Sequence, residues 1–341
     1  MNAADVAAAV LWTGVVAYAV FGGADFGAGF WDLVAGGDTR GERPRALIDR
    51  AIGPVWEANH VWLVFCLVML WTAFPPAFVA VMTTLTVPLS LAAVGIVLRG
   101  AGFAFRKASV AIGRRRVFGA SFAISSLLTP FAMGTVAGGI ASGRVPVCNA
   151  AGSRWTSWIN PTSVLGGALA VAVCAYLAAV LLVGDARRLH DADLEEYFAR
   201  RAVVSGAVTG VVALVGIAVL AADARRVFDG LTGRALPLVV LSAACGGWTL
   251  VAVARRRRAP ALSTRVTAAL AVAAVVAAWG VAQYPDVLVG SLSLDQAAAP
   301  EVTLTWLVAI AAVAVIVLVP SFALLYTLLQ RDALDDAATS H

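Results

Sequence analysis

The sequence predicts an all-α polytopic membrane protein: a single membrane domain over residues 1–341, with nine transmembrane helices, the N-terminus outside and the C-terminus inside. Three observations predict it. Of the 341 residues, 61% are hydrophobic and 13% charged, against about 45–50% and about 25% in soluble domains. Apolar runs recur along the whole chain, each long enough to cross a hydrocarbon core of about 30 Å as a helix. The basic residues cluster between alternate runs, where topology signals belong. A soluble fold and a disordered chain are both excluded. So is a spanning barrel, because the runs lack strict alternation.

The first run, about 6–34, carries Asp5 and no Lys or Arg before it, so it reads as a retained span and not a cleaved signal. Runs at about 55–74, 77–99 and 117–141 complete a first set of four helices. Runs at about 161–183, 202–222, 235–254 and 264–284 form a second set, and 303–329 adds a ninth helix. Lipid offers free backbone groups no partners, so each run must be helical whatever its Val and Gly content. The polar stretch Gly184–Arg201 reads as a solvated loop with a short helix, and His190 within it as a surface residue. The connection from Tyr284 to Glu301 holds Asp286, Asp295 and Glu301 but no basic residue, and reads as an ordered outer loop.

Of the 25 basic residues, 20 lie in odd-numbered connections and the tail. Cytoplasmic loops collect Lys and Arg, which sets the orientation. The net charge of +5 is therefore a topology signal and gives no reason to expect a nucleic-acid partner. Cys66, Cys148, Cys174 and Cys245 show no metal or redox spacing. No nucleotide loop, hydrolytic triad or metal-binding cluster stands out.

Charges at membrane depth are informative, because each costs several kcal/mol unless paired or wetted. Asp25 sits in FGGADFGAGFWD, where Gly22, Gly23, Gly27 and Gly29 allow close backbone approach. It is either a buried functional carboxylate or a helix-end acid reaching the interface. Glu57 and His60, three apart in PVWEANHVW, share a helix face with Asn59 beside them and Trp56 adjoining. Glu57 is alternatively a helix N-terminal charge favoured by the macrodipole. His60 reads as a packing or proton-sharing group ahead of a metal or haem ligand, since no other span holds a His. Arg99 is placed to pair with Asp25 or Glu57, or to snorkel as a topology charge. Such a group suits proton uptake, or a substrate site in a proton-coupled secondary transporter.

The segments GGADFGAGFWDL, PVWEANHVWLVF, LWTAFPPAF and LRGAGFAFRK resemble subunit II of the cytochrome bd quinol oxidases. GASFAISSLLTPFAMGTVAGGI, WINPTSVLGG, YPDVL, TLTWL and LVPSFALLYTLL follow in the family's order. The resemblance implies a heterodimer in the bacterial plasma membrane with a subunit I that carries the quinol site and haems b558, b595 and d. That complex oxidises quinol and reduces dioxygen to water in the respiratory chain. The present chain would ligate no haem; in some members subunit II holds a structural quinone, and a small accessory single-helix subunit is a further possible partner. By motif, Asp25 and Glu57 correspond to acids implicated in a cytoplasmic proton path, with Asn59 and His60 beside them and Trp56 and Arg99 in support. Many members carry a second acid three positions before Asp25; here that position is Gly22. Where His60 stands, the family often has Gln.

Overall fold

The computed structural model describes residues 2–37, 41–52, 56–108, 112–147, 152–255 and 261–330. Helix α1 (Ala3–Ala17) starts at a reciprocal cap in which Asn2 and Asp5 each accept the other's backbone N–H. One π-turn (Tyr18–Gly22) carries it into α2 (Gly23–Leu33), so the first run is one helical span of 31 residues. An amphipathic α3 (Glu42–Ile52) lies in the first connection. Helices α4 (Trp56–Ala73) and α5 (Pro75–Thr84) meet at Phe74, and the pair is bent by 119°. Pro75 and Pro76 lack the N–H groups that would continue the helix, so it breaks there. After Leu85 the chain enters α6 (Thr86–Ala108), where Pro88 falls in the first turn and its missing N–H is tolerated. The run read as one span at 77–99 is thus divided between two helices. Hydropathy misses the division because both parts are apolar.

Helices α7 (Ile112–Ala141), α8 (Pro161–Arg188), α9 (Ala192–Asp223), α10 (Arg225–Thr232), α11 (Leu236–Ala254) and α12 (Ala261–Gln283) follow. A small hairpin of β1 (Asp286–Leu288) and β2 (Leu292–Ser293), a turn of helix α13 (Leu294–Ala297) and α14 (Glu301–Gln330) complete the chain. Among the described residues, seven helical segments are long and apolar enough to cross a membrane; the bent α4–α5 pair, taken as one span, makes eight. The chain is a multi-pass, all-helical membrane protein.

The Gly184–Arg201 stretch differs from expectation. It is not a loop with a short helix: α8 continues to Arg188, α9 begins at Ala192, and a three-residue turn joins them. Asp191 caps α9 by accepting from Leu194 N–H at 3.1 Å. His190 adopts a positive φ of 54° in that turn. Acids in the first turn of α9 and arginines in the last turn of α8 suit the helix dipoles, so both helices persist beyond their apolar parts.

Packing rests on small residues. A Cβ on Gly134 of α7 would lie 2.4 Å from the Gly166 carbonyl of α8, so the two backbones touch where glycines face each other. One apolar cluster joins Trp31, Ile48, Leu182 and Phe198. A second, with Phe74, Leu85, Leu288 and Leu292, fills the region around the N-terminus and the hairpin. Asn2 donates to Asp295 at 2.8 Å and Tyr284 to Asp5 at 3.3 Å, tying the N-terminus to the hairpin connection. That connection is ordered, as expected. Arg43 pairs with Asp191 at 2.8 Å and Arg265 with Asp185 at 2.8 Å beyond the far end of the first span.

Candidate functional site: a buried carboxylate and guanidinium

The π-turn leads into α2, whose glycines set how near its neighbours come. A Cβ on Gly27 would lie 1.8 Å from the Cys174 carbonyl of α8. On Gly29 it would lie 2.0 Å from Ser126 Oγ of α7 and 2.8 Å from Arg99 Nη1. These two positions require glycine. Gly23 does not, since its nearest neighbour would be Leu177 Cδ1 at 3.4 Å.

This close packing encloses Asp25, which is only 4% exposed. The alternative of a helix-end acid reaching the interface is therefore wrong. Arg99 of α6 is 1% exposed, so it does not snorkel either. Its Nη2 donates to Asp25 Oδ1 at 2.6 Å and to the Asp25 carbonyl at 2.7 Å, while Nε donates to Oδ2 at 3.3 Å. Nη1 donates to Ser126 Oγ, which itself donates to the Phe122 carbonyl at 2.6 Å. The guanidinium lies 4.8 Å from the Phe26 ring centre and 4.4 Å from that of Phe122, so aromatic faces supply part of the solvation that water would give. A buried charge needs this degree of pairing to be tolerated.

His60 of α4 is half-buried and meets the Phe26 ring edge-on, with centroids 6.4 Å apart. Phe26 thus stands between the imidazole and the guanidinium. The side chains of Trp56, Glu57 and Asn59 lie outside the described residues, as does Cys148. Of the expected group, Asp25 and Arg99 are directly paired, and His60 adjoins them through an aromatic ring.

Asp32 was not anticipated. It follows Asp25 by seven residues, two turns along α2, and is 4% exposed. Arg45 donates to it through Nε at 3.1 Å and closes over the Gly36 carbonyl at 2.5 Å. The seven-residue spacing was the available signal, but an acid at the edge of an apolar run reads as an ordinary interfacial charge. Ser126 and Phe122 carried no signal at all within an apolar span. Chemically, the carboxylates can take up and release protons while the guanidinium stays charged. Among the described residues, no three His, Cys, Asp or Glu side chains come together as a metal site.

Known proteins share this architecture. The sequence profile of cytochrome bd terminal oxidase subunit II matches residues 3–329. A putative cytochrome bd menaquinol oxidase subunit II of Bacillus subtilis (strain 168) is 24% identical over 229 residues, which cover 66% of this chain and 65% of that protein. A cytochrome bd ubiquinol oxidase subunit 2 of the same organism is 25% identical over 277 residues, 79% of this chain and 77% of the relative. The structure of bd oxidase from Geobacillus thermodenitrificans contains a chain with the same fold, at a TM-score of 0.78 and 24% identity, over 96% of this chain and 98% of that one. The chain described here belongs to the cytochrome bd terminal oxidase subunit II family.

Proposed function

We propose that this protein is the non-haem subunit of a bd-type quinol oxidase in a bacterial plasma membrane. It pairs with a haem-bearing subunit I and contributes a cytoplasmic proton path to dioxygen reduction. The observation that carries this reading is the family match over residues 3–329, which includes the segment holding the buried Asp25–Arg99 pair. Haems b558, b595 and d, bound in the partner, would supply the electron transfer and oxygen chemistry. The part of the present chain is to bring protons toward them through Asp25, Glu57, Asn59 and His60, with Trp56 and Arg99 in support. The transporter reading draws on the same carboxylates and has no further observation in its favour.

The same proposal includes nine spans in two sets of four plus one, with the N-terminus outside. Parity supports it: the N-terminus and the Tyr284–Glu301 connection touch each other, which requires an even number of crossings between them, and eight runs lie there. Removing the buried Arg99 from the set of loop charges leaves the basic asymmetry intact.

Co-expression with the partner gene and purification in mild detergent tests the assignment. A coloured complex with d-type haem absorption and quinol oxidase activity is expected, and neither from this chain alone. Stoichiometric haem on the isolated chain would overturn it. Asp25→Asn keeps an acceptor for Arg99 but removes the transferable proton. It should slow turnover roughly 10-fold or more with haem content retained; wild-type turnover would remove Asp25 from the path.

A further inference from the structure

We propose that the Tyr18 hydroxyl is a proton-relay group next to the Asp25–Arg99 pair, linked to Asp25 through an ordered water. The proposal rests on the proton-path reading above and deepens it. Tyr18 opens the π-turn that precedes α2, and such turns in α-helices occur frequently at functional sites. Its Oη is buried and makes no hydrogen bond to any described protein group. Buried hydroxyls are nearly always bonded, so this one is left for a water with polar partners nearby.

The titratable and charged groups facing Tyr18 are Asp25 of α2, Arg99 of α6, Cys66 of α4 and Cys174 of α8. Asp25 is the one carboxylate in that set. Space at the site is specific to the ring: a Cβ on Gly22 would lie 2.9 Å from Tyr18 Cε2. A side chain at position 22 and the tyrosine ring in this position exclude each other, so the helix carries a phenol here instead of a second residue-22 substituent.

A phenol suits the task because its oxygen both donates and accepts. A proton leaving the acid form of Asp25 bonds to the water. The water passes one of its own protons to Tyr18 Oη, and the original phenolic proton leaves on the far side. Each O–H bond broken is matched by one formed, and the phenol ends neutral. Rotation of the hydroxyl resets the chain.

The experiment compares Tyr18→Phe and Asp25→Asn in the purified two-subunit complex, with turnover measured against pH. Tyr18→Phe keeps the ring and deletes a hydroxyl that bonds to no protein group, so haem content, quinol KM and thermal stability should match wild type. Turnover should fall roughly 10-fold, and the loss should deepen as pH rises and protons become scarcer. Replacing Tyr18 with 3-fluorotyrosine keeps shape and hydroxyl and should restore most of the rate. If Asp25→Asn slows the enzyme and Tyr18→Phe does not, the relay is overturned while the proton path stands. If Asp25→Asn turns over at the wild-type rate, the path itself fails, and the relay with it. A Tyr18→Phe loss that is equal at every pH and accompanied by lower stability would make Tyr18 a packing residue and overturn the proposal.

Discussion

Arg99 places a permanent charge in a nearly dry interior, and the two members of its ion pair are not equally replaceable. With Asn at position 25, the guanidinium keeps an amide acceptor, the Asp25-position carbonyl, Ser126 and two aromatic faces. With Leu at position 99, the carboxylate loses both guanidinium donors. Removing one partner of a buried pair costs about 3–5 kcal/mol, so Arg99→Leu should lower the melting temperature of the complex clearly more than Asp25→Asn. Equal shifts would show that the carboxylate is solvated by other means. Gly27→Ala should prevent assembly, because its Cβ would overlap the Cys174 carbonyl; Gly23→Ala should be tolerated within about 1 kcal/mol. The sequence exposed Asp25 and Arg99 because a charge in an apolar run demands an explanation. Tyr18, Ser126 and Phe122 demand none, and only the fold shows that they adjoin the pair.

Helical elements were legible wherever lipid dictates them and illegible where water takes over. Apolar windows find the body of α9 but stop at Arg201, although the helix begins at Ala192. What extends it is local: Asp191 caps it, and Arg43 fastens that cap to the first connection. Acceptance from Leu194 N–H, then from Arg43, holds the Asp191 carboxyl below the usual carboxylate range. A depressed value means the stabilisation is present above the unfolded-state value of about 3.9 and is lost as pH falls through the folded one. Asp191→Asn retains a good cap and loses the ion pair. Wild type should therefore melt above the variant at neutral pH, and the two curves should converge below about pH 4. A difference that persists in acid would exclude the Asp191 charge as its cause. At the opposite end of the same helix Asp223 accepts from Arg144 at 2.6 Å and from Thr162 Oγ1 at 2.6 Å, so α9 is fastened to α8 at both ends.

For the molecule as a whole, sidedness is the largest statement the sequence makes, and the hairpin supplies the place to test it. Gly290 is exposed at the tip between the two strands, so a reporter inserted there disturbs neither the Asn2–Asp295 nor the Tyr284–Asp5 contact. It should read as external, while one fused after His341 should read as cytoplasmic. Identical readings at the two positions would refute an odd helix between them. The π-turn at Tyr18–Gly22 has a consequence of another kind. It amounts to one residue more than a regular helix would use over that length, and everything after it is rotated accordingly. Deleting Val20 alone would alter no group of the ion pair, yet it would turn α2 by about 100° relative to α1. The side of the helix that now carries Asp25 would face elsewhere, and Gly27 and Gly29 would leave their neighbours together with it. Whether the carboxylate meets its arginine thus depends on a count of residues, and a frame-preserving loss of one apolar codon should be as damaging as the loss of the acid itself.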